Sequence, residues 1–341
     1  MMRFFRKTSV ALACAALAFG CAKKQEVVSQ TAADKALSAR QIDDDPLALL
    51  PGGAIGAFYI DTQKLFASEL GKKLLAMARA SAPMPQSAGF DPERDLKSMY
   101  IGSYSMQGAD VAAVLTGTFD RDKIEKTAES TDQTALGAPV VKSTYAGRTL
   151  YTSRNVGFVV LTERTVLAGN ETGIRRTLDR IKEGRAKREL PDWMSKLLLT
   201  KGASAAGGVD LRSQAVTDAA RAQLPFLNDL ETARMLGNFE PPGLNVAGTL
   251  TYTDEAAAQR GAESVRKLHE TLRSYRFLMA IIGIAQPIQK LEAEAAGKDT
   301  RFVVGLDGQA LVRLLEKAEQ FLGLTNSSQT VPATLSPGVT R

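Results

Sequence analysis

The sequence predicts an α+β fold of two similar lobes from a diverged internal duplication, each lobe an antiparallel-rich sheet with helices on one face. Three observations carry that expectation. A β-type run closed by Asp or Asn and followed by an amphipathic run recurs six times, three times in each half of the chain. Between the second and third of these, the chain reads as four short strands joined by tight turns, an antiparallel meander. The composition, 44% hydrophobic and 23% charged over 341 residues, suits one large or two medium packed domains.

The N-terminus is a targeting segment and not part of that fold. MMRFFRK carries three positive charges in seven residues, and the thirteen uncharged residues TSVALACAALAFG follow. A basic head and a short apolar run make a secretory signal, too short to cross about 30 Å of hydrocarbon as a helix. Gly20 and Cys21 end it. The segment resembles a bacterial lipobox, with Gly20 before the cysteine and Ala18 two places earlier, so Cys21 is the candidate lipidation site. Leu17 lies one place further out than the usual leucine, and Phe19 is bulky. Two rivals stay open: ordinary cleavage at Ala16-Leu17-Ala18, and an anchor at Cys14. Cleavage before Cys21 leaves no second cysteine for a disulfide, and a lone thiol in an oxidising compartment is a liability that a lipid removes. The expected location is the bacterial cell envelope, facing the periplasm or the cell surface. Ala22, where Asp would signal inner-membrane retention in enteric bacteria, favours the outer membrane.

Residues 1–20 are therefore read as a lipoprotein signal peptide and 21–50 as a flexible tether, since AKKQEVVSQTAADKALSARQIDDDP is polar and free of aromatics. Losing Arg3, Arg6 and Lys7 lowers the formal charge from +6 to +3, which leaves no nucleic-acid signature. No later run is long enough to span a membrane; FLMAIIGIA, at 277–285, reads as a buried helix.

Lobe 1 is expected over 51–190 and lobe 2 over 191–322, with a disordered tail at 323–341. The junctions fall at Asp61, Asp120 and Asn170, and again at Asp210, Asp254 and Asp307. Each is a candidate structural N-cap. A helix leaves its first N–H groups unpaired, and an Asx side chain accepts from them, so capping explains all six with one cause. The meander breaks at Ala146-Gly147, Arg154-Asn155 and Glu163-Arg164. In lobe 2 no meander is visible, and Glu255–Ala296 reads as one long helical run.

Between the lobes, GIRRTLDRIKEGRAKREL holds seven basic residues: Arg175, Arg176, Arg180, Lys182, Arg185, Lys187 and Arg188. They are candidate contacts for anionic lipid or an acidic partner, against the plainer reading of a helix C-terminus and linker. Trp193 follows Pro191 and anchors the first helix of lobe 2, with a ligand-stacking role as the alternative.

The chemistry that is missing is as informative. The single histidine, His269, sits mid-helix at the edge of an apolar stripe, so Ser-His-Asp, Cys-His and His/Cys zinc sites have nothing to draw on. AAGKDT lacks the rest of a phosphate loop, and GASAAGG sits on a strand rather than opening a helix. IDDDP is not followed by regularly spaced oxygen ligands, and nothing singles out a catalytic carboxylate pair. No catalytic residue, metal or cofactor is assigned.

LLPGGAIGAFYIDTQKL and the later GFDPERDLKSM resemble segments of uncharacterised bacterial envelope lipoproteins, whose domains open on a Leu-Pro, strand-Asp segment. That resemblance covers about a tenth of the chain and implies no activity. The expected function is a lipid-anchored envelope protein with a non-enzymatic binding or structural role. It would be held at the membrane by the Cys21 lipid, its partner another envelope protein. The alternatives are a binding protein for a small ligand or glycan between the lobes, and an enzyme with unrecognised carboxylate chemistry.

Overall fold

The computed structural model describes residues 35–81, 90–105, 110–129, 134, 138–214, 216–274 and 286–321. The signal segment, Cys21, residues 277–285 and the C-terminal tail lie outside the described residues. The first described segment supplies helix α1 (Ala39–Asp44), capped by Ser38 with Gln41 reaching back to it, and a 3₁₀ turn (Pro46–Leu49). The first half then runs β1 (Gly56–Asp61), α2 (Thr62–Ala67), α3 (Glu69–Ser81), α4 (Pro92–Asp95), β2 (Leu96–Ser103), β3 (Val111–Gly117) and α5 (Arg121–Ala128). It closes with β4 (Val141–Tyr145), β5 (Arg148–Ser153), β6 (Val156–Val160), β7 (Thr165–Asn170) and α6 (Glu171–Lys182). The second half has α7 (Asp192–Leu198), β8 (Ala205–Asp210), α8 (Asp218–Gln223), β9 (Leu230–Asn238), β10 (Gly243–Tyr252) and α9 (Glu255–Ser274). After these come β11 (Ile288–Ala296), β12 (Asp299–Asp307) and α10 (Gly308–Phe321).

All twelve strands join one antiparallel sheet, in the order β11-β12-β10-β9-β8-β1-β2-β3-β7-β6-β5-β4. The two halves meet where β1 pairs with β8, Gly56 opposite Val209 and Ile60 opposite Ala205. Glycines make that seam possible. A Cβ on Gly207 would lie 2.7 Å from the Phe58 ring, and one on Gly208 2.8 Å from the Trp193 ring, so the aromatic rings lie directly on backbone. The meander is β4 to β7. Its first turn needs positive φ at both central residues, and Ala146 and Gly147 adopt +50° and +75°.

The two faces of the sheet are covered unequally. On the front face, Ala57, Val114, Leu150, Val159 and Leu167 pack under α1, the 3₁₀ turn, α6 and α7, through Ile42, Leu50, Ile174, Leu178 and Met194. On the back face of the first half, Phe158, Val160 and Val166 pack under Leu65, Phe66, Leu75 and Ile124. The first half therefore carries helices on both faces, where one covered face was expected; the added layer comes from α6, α7 and the segment before β1. In the second half the back face is buried by α9, with Leu250, Tyr252 and Ala293 against Ala257, Ala258, Ala262 and Val265.

Two further expectations need correction. The second part of the expected tether is folded, because Leu37, Ile42, Leu47, Leu49 and Leu50 offer one apolar stripe and are all at most 5% exposed. The run Glu255–Ala296 is not one helix. Its described helix covers Glu255–Ser274, and Ile288–Ala296 is strand β11, paired with β12. Helix-forming residues in LEAEAA yield there to the hydrogen bonds and the apolar back face that β12 offers.

Candidate functional site

Among the described residues, a broad exposed surface is the front face of β9, β10, β12 and β11. Arg234 opposes Gly208, which opposes Ala57, so these side chains share the face that α1, α6 and α7 cover in the first half. Cross-strand register sets four front-face rows over the four strands, and two of them form the middle of this surface. One reads Glu294, Arg301, Thr249, Arg234; the other reads Glu292, Val303, Ala247, Leu236. Opposed residues in antiparallel pairs lie on one side of a sheet, so each row is a line of neighbouring side chains. Glu292, Glu294, Arg301, Arg234 and Ala247 are exposed, and Val303 is 39% exposed. Among the described residues, the front core reaches no further into this half than Leu236.

Trp193 borders the open area. Helix α7 sits on β8 and β1, and its half-buried indole lies over Gly208. The Arg234 guanidinium stands 4.7 Å from the indole centroid, within cation–π range. The face thus ends against a wall one helix thick. Thr251 donates to Asp299 at 2.7 Å, and Asn245 to Asn238 at 2.9 Å, so its polar groups are held by neighbours along the strands.

The basic stretch after α6 has a different fate. Arg175 pairs with Glu171 and lies 4.3 Å over the Tyr145 ring; Arg176 pairs with Asp110 at 2.8 Å and lies over Tyr104. Arg185 pairs with Glu183, and Arg188 with Asp45, each at 2.8 Å. Arg180 is only 1% exposed. It donates to the carbonyls of Ala48 at 2.9 Å and Lys187 at 2.6 Å and pairs with Glu189, which also accepts from the Gly52 N–H. The hydrogen bond from Arg180 holds the Glu189 carboxyl below its usual range. Only Lys182 and Lys187 of the seven are exposed without an ion pair among the described residues. Arg180 and Arg188 tie the segment before β1 and the linker to α6, while Arg175 and Arg176 are engaged within α6 and at Asp110. A cavity of about 300 Å³ beside Arg180 is lined by Arg176, Asp179, Arg180, Arg185 and Glu189, each of which already has a partner.

Five of the six Asx residues stand at helix starts. Asp61 accepts from the Lys64 N–H, Asp120 from Lys123, Asn170 from Gly173, Asp254 from Ala257 and Asp307 from Ala310. Asp210 does not. It accepts from the Arg212 N–H and pairs with the Arg212 side chain in a turn, and the next helix, α8, is capped by Thr217. The IDDDP aspartates are also engaged, Asp43 with Thr165 at 2.7 Å and Asp45 with Arg188. Among the described residues no cluster of three or more His, Cys, Asp or Glu has the geometry for a metal ion. Among the described residues, each carboxylate whose acidity departs from the ordinary range is shifted downward: Asp95, Asp210 and Glu189 mainly by hydrogen bonds from arginine, Asp120 and Glu263 by hydrogen bonds from lysine, and Asp254 by the Ala257 N–H. The open face is not legible in the sequence, because LEAEAA reads as helix and only the pairing of β11 with β12 sets Glu294 opposite Arg301 and Glu292 opposite Val303.

The fold and this face define an α+β protein on one broad antiparallel sheet, with half of one face left open. No protein-family model and no curated protein matches the chain. Among solved structures it is similar to crystal form III of TP0453, with a TM-score of 0.51 and 11% identity over 80% of this chain and 98% of that one. Crystal forms I and IV of TP0453 give TM-scores of 0.48 and 0.47. At that identity the likeness speaks for the fold alone.

Proposed function

We propose that the protein is a lipid-anchored component of the bacterial envelope that binds another envelope component through the open front face of β9, β10, β12 and β11. The observation that carries the reading is that face itself. A sheet surface with Val303, Ala247 and Leu236 beside a charged row, in a molecule that buries the front face of its other half, is a natural contact surface. Anchoring is read from the sequence at Cys21. The test has two arms. Cys21→Ser releases the protein from the membrane fraction and abolishes palmitate labelling; a variant still held in the membrane would falsify the anchor. A photo-crosslinking residue at Ala247 gives a discrete adduct in intact cells, and the same residue at Lys97, on the first half, gives none. Equal labelling at both sites defeats the binding face.

The reading extends to origin: the two halves are copies of one duplicated unit. Outward from the seam the order is β1-β2-β3-β7-β6 on one side and β8-β9-β10-β12-β11 on the other, with helices after β3 and β10 and after β7 and β12. The hairpin β4–β5 is then an addition to the first copy. Superposing the paired strands by a rotation about an axis between β1 and β8 tests it, and failure over the five strand pairs discards it.

A further inference from the structure

We propose that the occupant of the open half-face is the same half-face of a second copy of this chain, in a two-fold, sheet-on-sheet pairing with the axis along the strands. This rests on the reading that the face is a binding surface, and it names the partner.

The charge layout favours a second copy. Across β11, β12, β10 and β9 the first row is Glu294, Arg301, Thr249, Arg234. A two-fold axis parallel to the strands, between the β12 and β10 columns, reverses the order of the strands without reversing their direction. The β11 of one copy then lies over the β9 of the other. Glu294 meets the other copy's Arg234 twice, and Arg301 meets Thr249. In the second row Val303 lies over Ala247, and the aliphatic stem of Glu292 lies over Leu236. An axis across the strands would instead stack β11 on β11, with Glu292 and Glu294 of each copy face to face, and like charges in contact are costly. The charges therefore choose one of the two symmetric pairings.

Shape agrees with charge. Stacked sheets stand about 10 Å apart, close to the thickness of the helix layer that covers the first half. The second half is recessed below α7 by one such layer, and a second sheet fills the step. The free edge of β11 in one copy then abuts the α7 wall of the other, which shields an unpaired strand edge. Four strands of about six residues cover roughly 400 Å² per copy, about half of what a standard interface buries on each partner. The pairing is accordingly weak in dilute solution and is measured at cellular concentration.

The experiment uses the full chain in intact cells, with Thr249→Cys beside the axis and a short bismaleimide reagent. A product of two chain masses is expected, and Lys201→Cys, outside the face, gives none. Arg234→Glu or Glu294→Arg on the Thr249→Cys background lowers the product about tenfold, and the two together restore it. A crosslink from Thr249→Cys to a different protein, with no self-product, overturns the second copy and leaves the binding face standing. No adduct of any kind at Thr249 removes both. A self-product that ignores the charge reversals overturns this arrangement.

Discussion

The two halves of the sheet share a strand order but not a thickness. On the front of the first half, Val159 is fully buried beneath the helix layer; on the front of the second, Val303 is 39% exposed. The layer that makes the difference comes from segments flanking the first half, namely the residues before β1, helix α6 and helix α7. One sheet therefore does two jobs. Where α6 and its partners lie, the front face is core, and where they stop the same kind of surface faces outward. Burial in such a fold is decided by what the chain lays on a strand as much as by the strand's own pattern.

The largest effect expected from breaking this contrast is at Arg180. Its guanidinium fastens the Ala48 and Lys187 carbonyls and Glu189 to α6, so Arg180→Ala strips both carbonyls of this donor, removes the ion pair of Glu189 and lifts the front layer. Urea denaturation should show a loss of about 3 kcal/mol. A loss below about 1 kcal/mol would mean the layer does not depend on this clamp. Next come the two front-face valines. Val159→Ala should cost about 2 kcal/mol and Val303→Ala less than about 0.5. Equal costs would show that the second half's front face is covered after all.

Helix caps sharpen the comparison further. Asn170 accepts from the N–H groups of both Gly173 and Val111, so Asn170→Ala should cost about 1–2 kcal/mol. Asp210 serves only a turn, and Asp210→Ala should cost clearly less in the same assay; a reversal of that order would restore Asp210 as a cap. The smallest effect is in pH. Glu189 is more acidic in the folded protein than in the unfolded chain, so its contribution is present above the ordinary glutamate value of about 4.3. It is lost as pH falls through the folded value. Thermal melts from pH 6 downward should therefore steepen in decline below about pH 4.5, and Glu189→Gln should flatten that decline. An unchanged slope counts against the Arg180–Glu189 clamp.

Much of the fold was legible because its signals are local. Ala146-Gly147, Arg154-Asn155 and Glu163-Arg164 mark all three turns of the β4–β7 meander, since positive φ and short polar loops leave a trace in composition. The caps at Asp61 and Asp307 were visible for the same reason. What escaped was non-local. β11 is a strand because β12 lies beside it, and its Glu-Ala alternation carries no strand preference of its own. Ile42 and Leu50 looked like scattered apolar residues in a polar tether until Ile174, Leu178 and Leu167 gave them a surface to cover. The open face escaped with β11, since its rows exist only once four separate strands are in register.

The seam between β1 and β8 has a consequence for the order of assembly. Its hydrogen bonds join residues about 150 positions apart in the chain, which puts it among the slowest contacts to form by loop-closure entropy. The first half, made first, holds most of its local pairings before β8 exists. During that interval β1 is a bare strand edge, flat and rich in small and aromatic residues. A chain emerging from synthesis or export is most vulnerable to strand exchange with its neighbours in that window, and the arrival of β8 ends it.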